Sequence, residues 1–182
     1  MSQRIIGIQL RKDRLWREMK DSRRQLLTGL RMWPEDRLMS PATPEDWRVR
    51  EMVIASAVAE SRILTAVQQM WNDDPVTVPL GENALERDRK EIERRMKWRW
   101  PEILDEIFWF REETNSTMTW LKDGDLGKSW GEPPVTIEEL LQSVARRDRH
   151  NAAELAALVL KNAHRNSRAI GLGSAWLVNC CW

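Results

Sequence analysis

The amino-acid sequence predicts an all-α protein organised as a four-helix bundle with a short C-terminal tail. Apolar residues recur at three-or-four spacing over four separate segments, and loops holding proline, glycine or asparagine divide those segments. No run alternates apolar with polar residues as a half-buried strand would. Residues 1–168 read as the bundle domain and residues 169–182 as an apolar tail.

From Lys12 to Leu30 the chain holds no proline, and Trp16, Met19, Arg23, Leu26, Leu27 and Leu30 recur at helical spacing. That is the first helix. The stretch WPEDRLMSPATPEDW follows as a loop. At its end Thr43, Pro44 and Glu45 supply an N-cap, a proline at the first helical position and an early acid, and such a cap stabilises a helix by about 1 kcal/mol. The second helix then runs from Glu45 to Trp71, with Val49, Met52, Val53, Val58, Ile63, Leu64 and Val67 as its apolar positions. Asn72, Asp73 and the two prolines of NDDPVTVPLGEN end it.

Residues 84–100, ALERDRKEIERRMKWRW, interleave acids and bases at spacings that allow i,i+3 and i,i+4 pairs, the pattern of a solvated helical face. Trp98 and Trp100 beside Lys97 and Arg99 keep a base-stacking reading open. Pro101 kinks or restarts the helix, and Ile103, Leu104, Ile107, Phe110 and Leu121 carry its apolar side onward. KDGDLGKSWGEPP is a Gly/Pro loop. Thr136 with Glu139 forms a T-x-x-E capping box before the last long helix. The apolar stretch after it, SRAIGLGSAWLVNCCW, would dock on the bundle or cover an oligomer contact, and a homodimer is expected.

Composition narrows the function. Lys plus Arg (29) nearly cancels Asp plus Glu (28), so no long-range field marks a nucleic-acid or anionic-membrane binder, and neither partner is expected. No run approaches the ~20 apolar residues of a membrane span, and the N-terminus lacks a secretory apolar region, so a soluble, cytoplasmic protein is expected. The two cysteines, Cys180 and Cys181, are adjacent and offer neither a disulfide framework nor a C-x-x-C spacing. Eleven Trp against two Phe and no Tyr make almost every large ring an indole, at spacings typical of core or interface.

The last helix is where the pattern breaks. Its apolar stripe starts as Ile137, Leu140, Leu141 and Val144 and resumes at Leu155 and Leu158, whereas the in-phase positions between them are Arg147, Asp148 and Asn151. His150 falls on the opposite flank. Polar groups facing a bundle interior need partners or water, because an unpaired charge there costs several kcal/mol. Two readings meet that need: a solvent-open pocket, or a structural Arg147 paired with Asp148 or with a carboxylate on the second helix.

At these residues the chain resembles the DinB/YfiT-like family of four-helix bundle proteins. DWRVREMVIASAVAESRIL, residues 46–64, is similar to the family's second-helix signature, with Trp47, Val49 and Glu60 in place and Ala55 where a metal-binding His would stand. RRDRHNAAEL is similar to the fourth-helix H-x-x-x-H segment, and aligning Ala153, Glu154 and Leu155 puts Arg147 and Asn151 on the two His positions. In that register the family's three-His site is absent. A one-residue shift makes His150 a ligand beside Arg146, still too few, since catalytic metal sites generally use about three protein ligands. His164 lies too near the C-terminal end to substitute, so no metal and no cofactor are expected.

The resemblance implies descent from metal-dependent proteins, some linked to low-molecular-weight thiol transfer or to hydrolysis. That activity does not carry over without the metal. No H-E-x-x-H, G-x-S-x-G, P-loop or Cys/His pair stands in for it. The leading expectation is a metal-free binding protein whose vacated site takes a small anionic ligand. Its pocket candidates are Arg147, Asn151, Ala55, Glu60 and Asp148. Arg147 would replace the metal's charge with a fork of donors, and Asn151 would add a donor and an acceptor. The alternative is a metal-dependent transferase or hydrolase with a relocated site on His150, Glu154 and Glu60.

Overall fold

In the computed structural model the chain is all-α apart from one minimal β-ribbon. The structure describes residues 2–80 and 84–174, with side chains described over 11–80, 84 and 86–164. The helices are α1 (Ser2–Arg31), α2 (Glu35–Met39), α3 (Pro44–Trp71), α4 (Ala84–Arg95), α5 (Trp100–Trp120) and α6 (Ile137–Ser174). No helix among the described residues is long and apolar enough to cross a membrane.

Local signals place most of the boundaries. Pro44 occupies the first turn of α3, and the Thr43 hydroxyl accepts from the Asp46 N–H while Asp46 accepts from the Thr43 N–H at 2.9 Å. Thr136 and Glu139 make the same reciprocal pair at the start of α6, through bonds of 2.8 and 3.2 Å. Pro101 sits in the first turn of α5, which restarts the chain after a break over 96–99; having no N–H to donate, it is tolerated there and not in the interior of a continuous helix. Asn72 caps α3, and Asp73 follows in the left-handed region at φ 59°, a conformation that short polar side chains tolerate.

Four differences from the sequence reading stand out. The first helix begins at Ser2, ten residues before Lys12. The loop after it contains the short helix α2, whose Leu38 is buried. The Gly/Pro loop before α6 holds a 3-10 turn (Asp125–Gly127) and an antiparallel ribbon of β1 (Ser129–Trp130) and β2 (Val135–Thr136), with Gly131 at φ +91° turning it. Helix α6 runs on to Ser174, past the expected start of the tail, while residues 175–182 lie outside the described residues.

Side-chain bonds give the directions of the long helices. Arg11 pairs with Glu138 and Arg23 with Asp148, so α1 and α6 run the same way. Arg48 meets Glu154 and Ser56 meets Asn151, so α3 opposes α6. Glu60 meets Arg111 and Gln68 meets Thr117, so α3 and α5 are parallel, and the segment 72–99 that carries α4 returns the chain between them. Gly29 lets α1 come close to α6, since a Cβ there would lie 3.1 Å from Leu155 Cδ2.

The apolar interior is divided in two. One half gathers Leu26, Leu30, Trp33, Val53, Ile54, Trp100, Ile103, Ile107 and Leu155; the other gathers Leu15, Met19, Ile63, Val67, Met118, Leu121, Ile137 and Leu141. Between them lies a layer of charge, one side chain from each of α1, α3, α5 and α6: Arg23, Glu60, Arg111 and Asp148.

The start of α3 is also where the fold answers to pH. Asp46 is fully buried and accepts from Trp33 Nε1 at 3.1 Å, the Thr43 hydroxyl at 2.8 Å and the Ala42 N–H at 3.3 Å, with Arg37 Nε 2.7 Å away. Burial pushes its carboxyl up, but the bonds from Thr43 and the Arg37 charge outweigh burial and hold it below the usual carboxylate range. A depressed folded-state value means that the stabilisation is present above the unfolded value near ~4 and is lost as pH falls through the folded value. Asp46→Asn is expected to lower stability at pH 7 by about 1–2 kcal/mol. In urea titrations from pH 7 to pH 2 the gap between wild type and Asp46→Asn should narrow below about pH 4.

Candidate functional site

The polar turn of α6 divides between two environments. Asp148 points into the interior and is 1% exposed; Arg147 is half-buried beside α3; His150 faces solvent, its side chain 72% exposed. The helical phase places all three, since successive residues turn through about 100°.

Asp148 and Glu60 belong to the interior layer. Arg23 Nε donates to Asp148 Oδ2 at 2.9 Å, its Nη2 donates to Glu60 Oε2 at 2.5 Å, and its Nη1 donates to the Ile107 carbonyl at 3.3 Å. Arg111 donates through Nη2 to Asp148 Oδ2 at 2.9 Å and through Nη1 to the Met19 carbonyl at 3.1 Å. Its Nε lies 2.9 Å from Glu60 Oε1, a close charge contact off the hydrogen-bond axis. Two cations thus face two anions. Burial lowers the Arg23 pKa, yet the charges of Glu60 and Asp148 win and raise it above the ordinary value. For Arg111 burial wins, helped by Arg23, and the pKa is lowered. Arginine stays charged through shifts of this kind.

Arg23 and Arg111 are site-forming residues that the motif reading missed. Their signal was in the sequence: Arg23 stands within the apolar phase of α1, and Arg111 stands one turn after Ile107. An arginine inside an apolar stripe announces a buried charge. Which carboxylates would answer it depends on packing between helices far apart in the chain.

Ala55, Arg147 and Asn151 do come together, on the other side of α6. They line a groove of about 270 Å³ between α3 and α6 with Arg48, Glu51, Met52 and Glu154. The Asn151 amide donates to Ser56 Oγ at 2.8 Å and to the Met52 carbonyl at 3.3 Å, so both its hydrogens hold α6 to α3 and neither is left for a ligand. Arg147 is different. Its only described hydrogen bond is a long one, 3.4 Å from Nη1 to the Ala55 carbonyl, and no carboxylate among the described residues pairs with it. Burial lowers its pKa, with Arg62 acting in the same direction against Asp88 and Asp148. Of the two readings of Arg147, the structural ion pair is not what the side chain makes: Asp148 is taken by Arg23 and Arg111, and Asp88 by a bidentate Arg62 at 3.0 Å.

The groove opens through Arg48, Glu51 and Glu154 into a recess of about 630 Å³ beside Trp47 and Lys161. Arg48 and Glu154 neutralise each other at 2.9 Å, so among the described residues the groove charges without an ion pair are Arg147 and Glu51. Among the described residues the acid nearest His150 Nε2 in an ion pair is Glu154, at 4.0 Å, and Glu60 is buried in the interior layer, so His150, Glu154 and Glu60 do not converge. Among the described residues no three His, Cys, Asp or Glu side chains are grouped as metal ligands. Comparison with protein-family models, curated proteins and solved structures finds no match to this chain.

Removing one member of a paired buried cluster strands the others, whereas replacing all members with apolar residues of similar volume removes the desolvation cost as well. Asp148→Ala is therefore expected to destabilise the protein by about 3–5 kcal/mol in urea denaturation. The combined replacement Arg23→Met, Glu60→Leu, Arg111→Met and Asp148→Leu should recover most of that loss. A combined variant less stable than Asp148→Ala would show that the layer stabilises the fold on balance.

Proposed function

We propose that this chain is a cytoplasmic, DinB-like bundle protein in which a vacated metal site binds a small anionic ligand at Arg147. The observation that carries the reading is the unanswered guanidinium. A half-buried arginine with one long hydrogen bond has four or more N–H donors to offer, in a planar fork suited to a carboxylate or phosphate. The groove around it has a floor set by Ala55, where a larger side chain would fill the space, and a wall held by Asn151. A ligand larger than the groove would extend toward Trp47. Glu51 at the rim favours a ligand that also carries a hydroxyl or an amine, because a bare anion would meet its charge.

A homodimer is compatible with this reading. Trp109, Trp120 and Trp130 are between 45 and 69% exposed, and indoles are enriched in contacts between protein surfaces.

The reading has a thermodynamic signature. A residue kept for binding is free to be poor for stability, so Arg147→Met is expected to leave folding unchanged or raise it by up to about 1 kcal/mol. For the wild-type protein a bound anion at a hundred times its Kd adds about 2.7 kcal/mol, which for a chain of this size is a rise in Tm of roughly 5–10 °C. Scanning fluorimetry against phosphate, citrate and a panel of hydroxy- and amino-acids should find such a rise, and Arg147→Ala should abolish it. A rise that survives Arg147→Ala would move the ligand elsewhere. Elemental mass spectrometry on protein grown and dialysed with zinc and nickel, returning metal near one per chain, would favour the metal-dependent transferase or hydrolase instead.

A further inference from the structure

A second groove lies on the opposite face, between α1 and α5, and its two ends differ in kind. One end, about 290 Å³, is walled by Leu27, Leu30, Trp33, Trp100, Leu104 and Phe108, with Glu35 the one acid along it. The other, about 260 Å³, is walled by Lys20, Arg23, Arg24, Arg31 and Arg111 together with Asn115, and no carboxylate lines it. Leu27 and Arg31 line both recesses, so the two adjoin at these residues. The apolar recess by itself comes close to the lower end of the range for small-ligand pockets, roughly 300–1,000 Å³.

The basic end has charge to spare. Arg23 and Arg111 are spent on Glu60 and Asp148 behind the wall, but the residues at the mouth are not. Arg31 is exposed and makes no ion pair or side-chain hydrogen bond among the described residues. Lys20 Nζ sits 4.3 Å from the centre of the Trp16 ring and makes no ion pair among the described residues. Arg24 is paired with Asp21 at 2.7 Å, an exposed contact of little strength that a ligand can displace. At the apolar end the Phe108 ring is 47% exposed, leaving hydrocarbon uncovered next to the cations.

We propose that the α1/α5 groove binds a single-chain amphiphilic carboxylate, with its headgroup at Arg31, which borders both recesses, and its chain along Leu27, Leu104, Trp100 and Phe108. The walls call for both halves of the ligand: apolar area drives burial of the chain, and the unpaired Arg31 selects a negative head over a neutral one.

Isothermal titration of the full chain with dodecanoate, below its micelle-forming concentration, tests the assignment. The expected result is binding near one per chain, with dodecanol weaker by about ten-fold or more and acetate not bound. Arg31→Glu, at an exposed position, should weaken dodecanoate by about ten-fold or more, and Arg31→Gln, which adds no acid to the last turn of α1, should also weaken it. Leu104→Asp should do the same. Arg147→Ala should leave dodecanoate unchanged, which separates this groove from the α3/α6 site. The proposal is overturned if dodecanoate does not bind, if dodecanol binds as tightly, or if Arg31→Glu leaves the affinity within about two-fold.

Discussion

Arg23, Glu60, Arg111 and Asp148 meet in the buried centre of the molecule, and the rest of the structure depends on each finding its opposite there. Every one comes from a different long helix, and the paired atoms lie mostly 2.5 to 3.4 Å apart. Moving any helix by one turn, about 5.4 Å along its axis, would part at least one charge from its partners at a cost of several kcal/mol. The apolar halves above and below carry no such instruction, because leucine, isoleucine and methionine pack acceptably in many registers. The charged layer therefore sets how α1, α3, α5 and α6 align, and the apolar halves supply the driving force that holds them together.

The same cluster organises the surface by exhausting the acids near it. Asp148 and Glu60 each serve two arginines, so neither is available to Arg147 one residue along α6, and Asp88 is occupied by Arg62. Arg147 is left half-answered in the α3/α6 groove. On the far side the layer presents the outer edges of Arg23 and Arg111 to the α1/α5 groove, beneath Lys20 and Arg31. A protein whose total charge is nearly balanced thus carries local surpluses of positive charge. Both candidate sites follow from that unevenness.

Much of the fold was legible in local sequence because the signals are local. Thr43 and Pro44, Thr136 and Glu139, and Pro101 act on residues within a turn of themselves, and each marks a helix start in the structure. The phase of α6 was legible for the same reason: Asp148 and Asn151 fall inside and His150 outside, as their spacing from Leu141 and Leu155 requires. The short helix α2 was not, since five residues carry too little periodicity to stand out, and the buried Leu38 gains its place by packing on α3. The β-ribbon has only two residues a side and no alternation to read. The nearness of Ala55, Arg147 and Asn151 rested on resemblance and not on spacing, because no local rule brings α3 against α6.

By itself, then, the sequence determined the class of the fold, most helix limits and which face of each helix is apolar, all of which follow from interactions within a few residues of backbone. Tertiary structure alone decided the pairing of the charges. Glu60 and Asp148 looked like pocket residues beside Arg147, and packing gave them to Arg23 and Arg111 instead, two arginines that the motif reading passed over. The reason is that a carboxylate's pairing is settled by distance in space between helices up to 125 residues apart, and that distance exists only once the helices have packed.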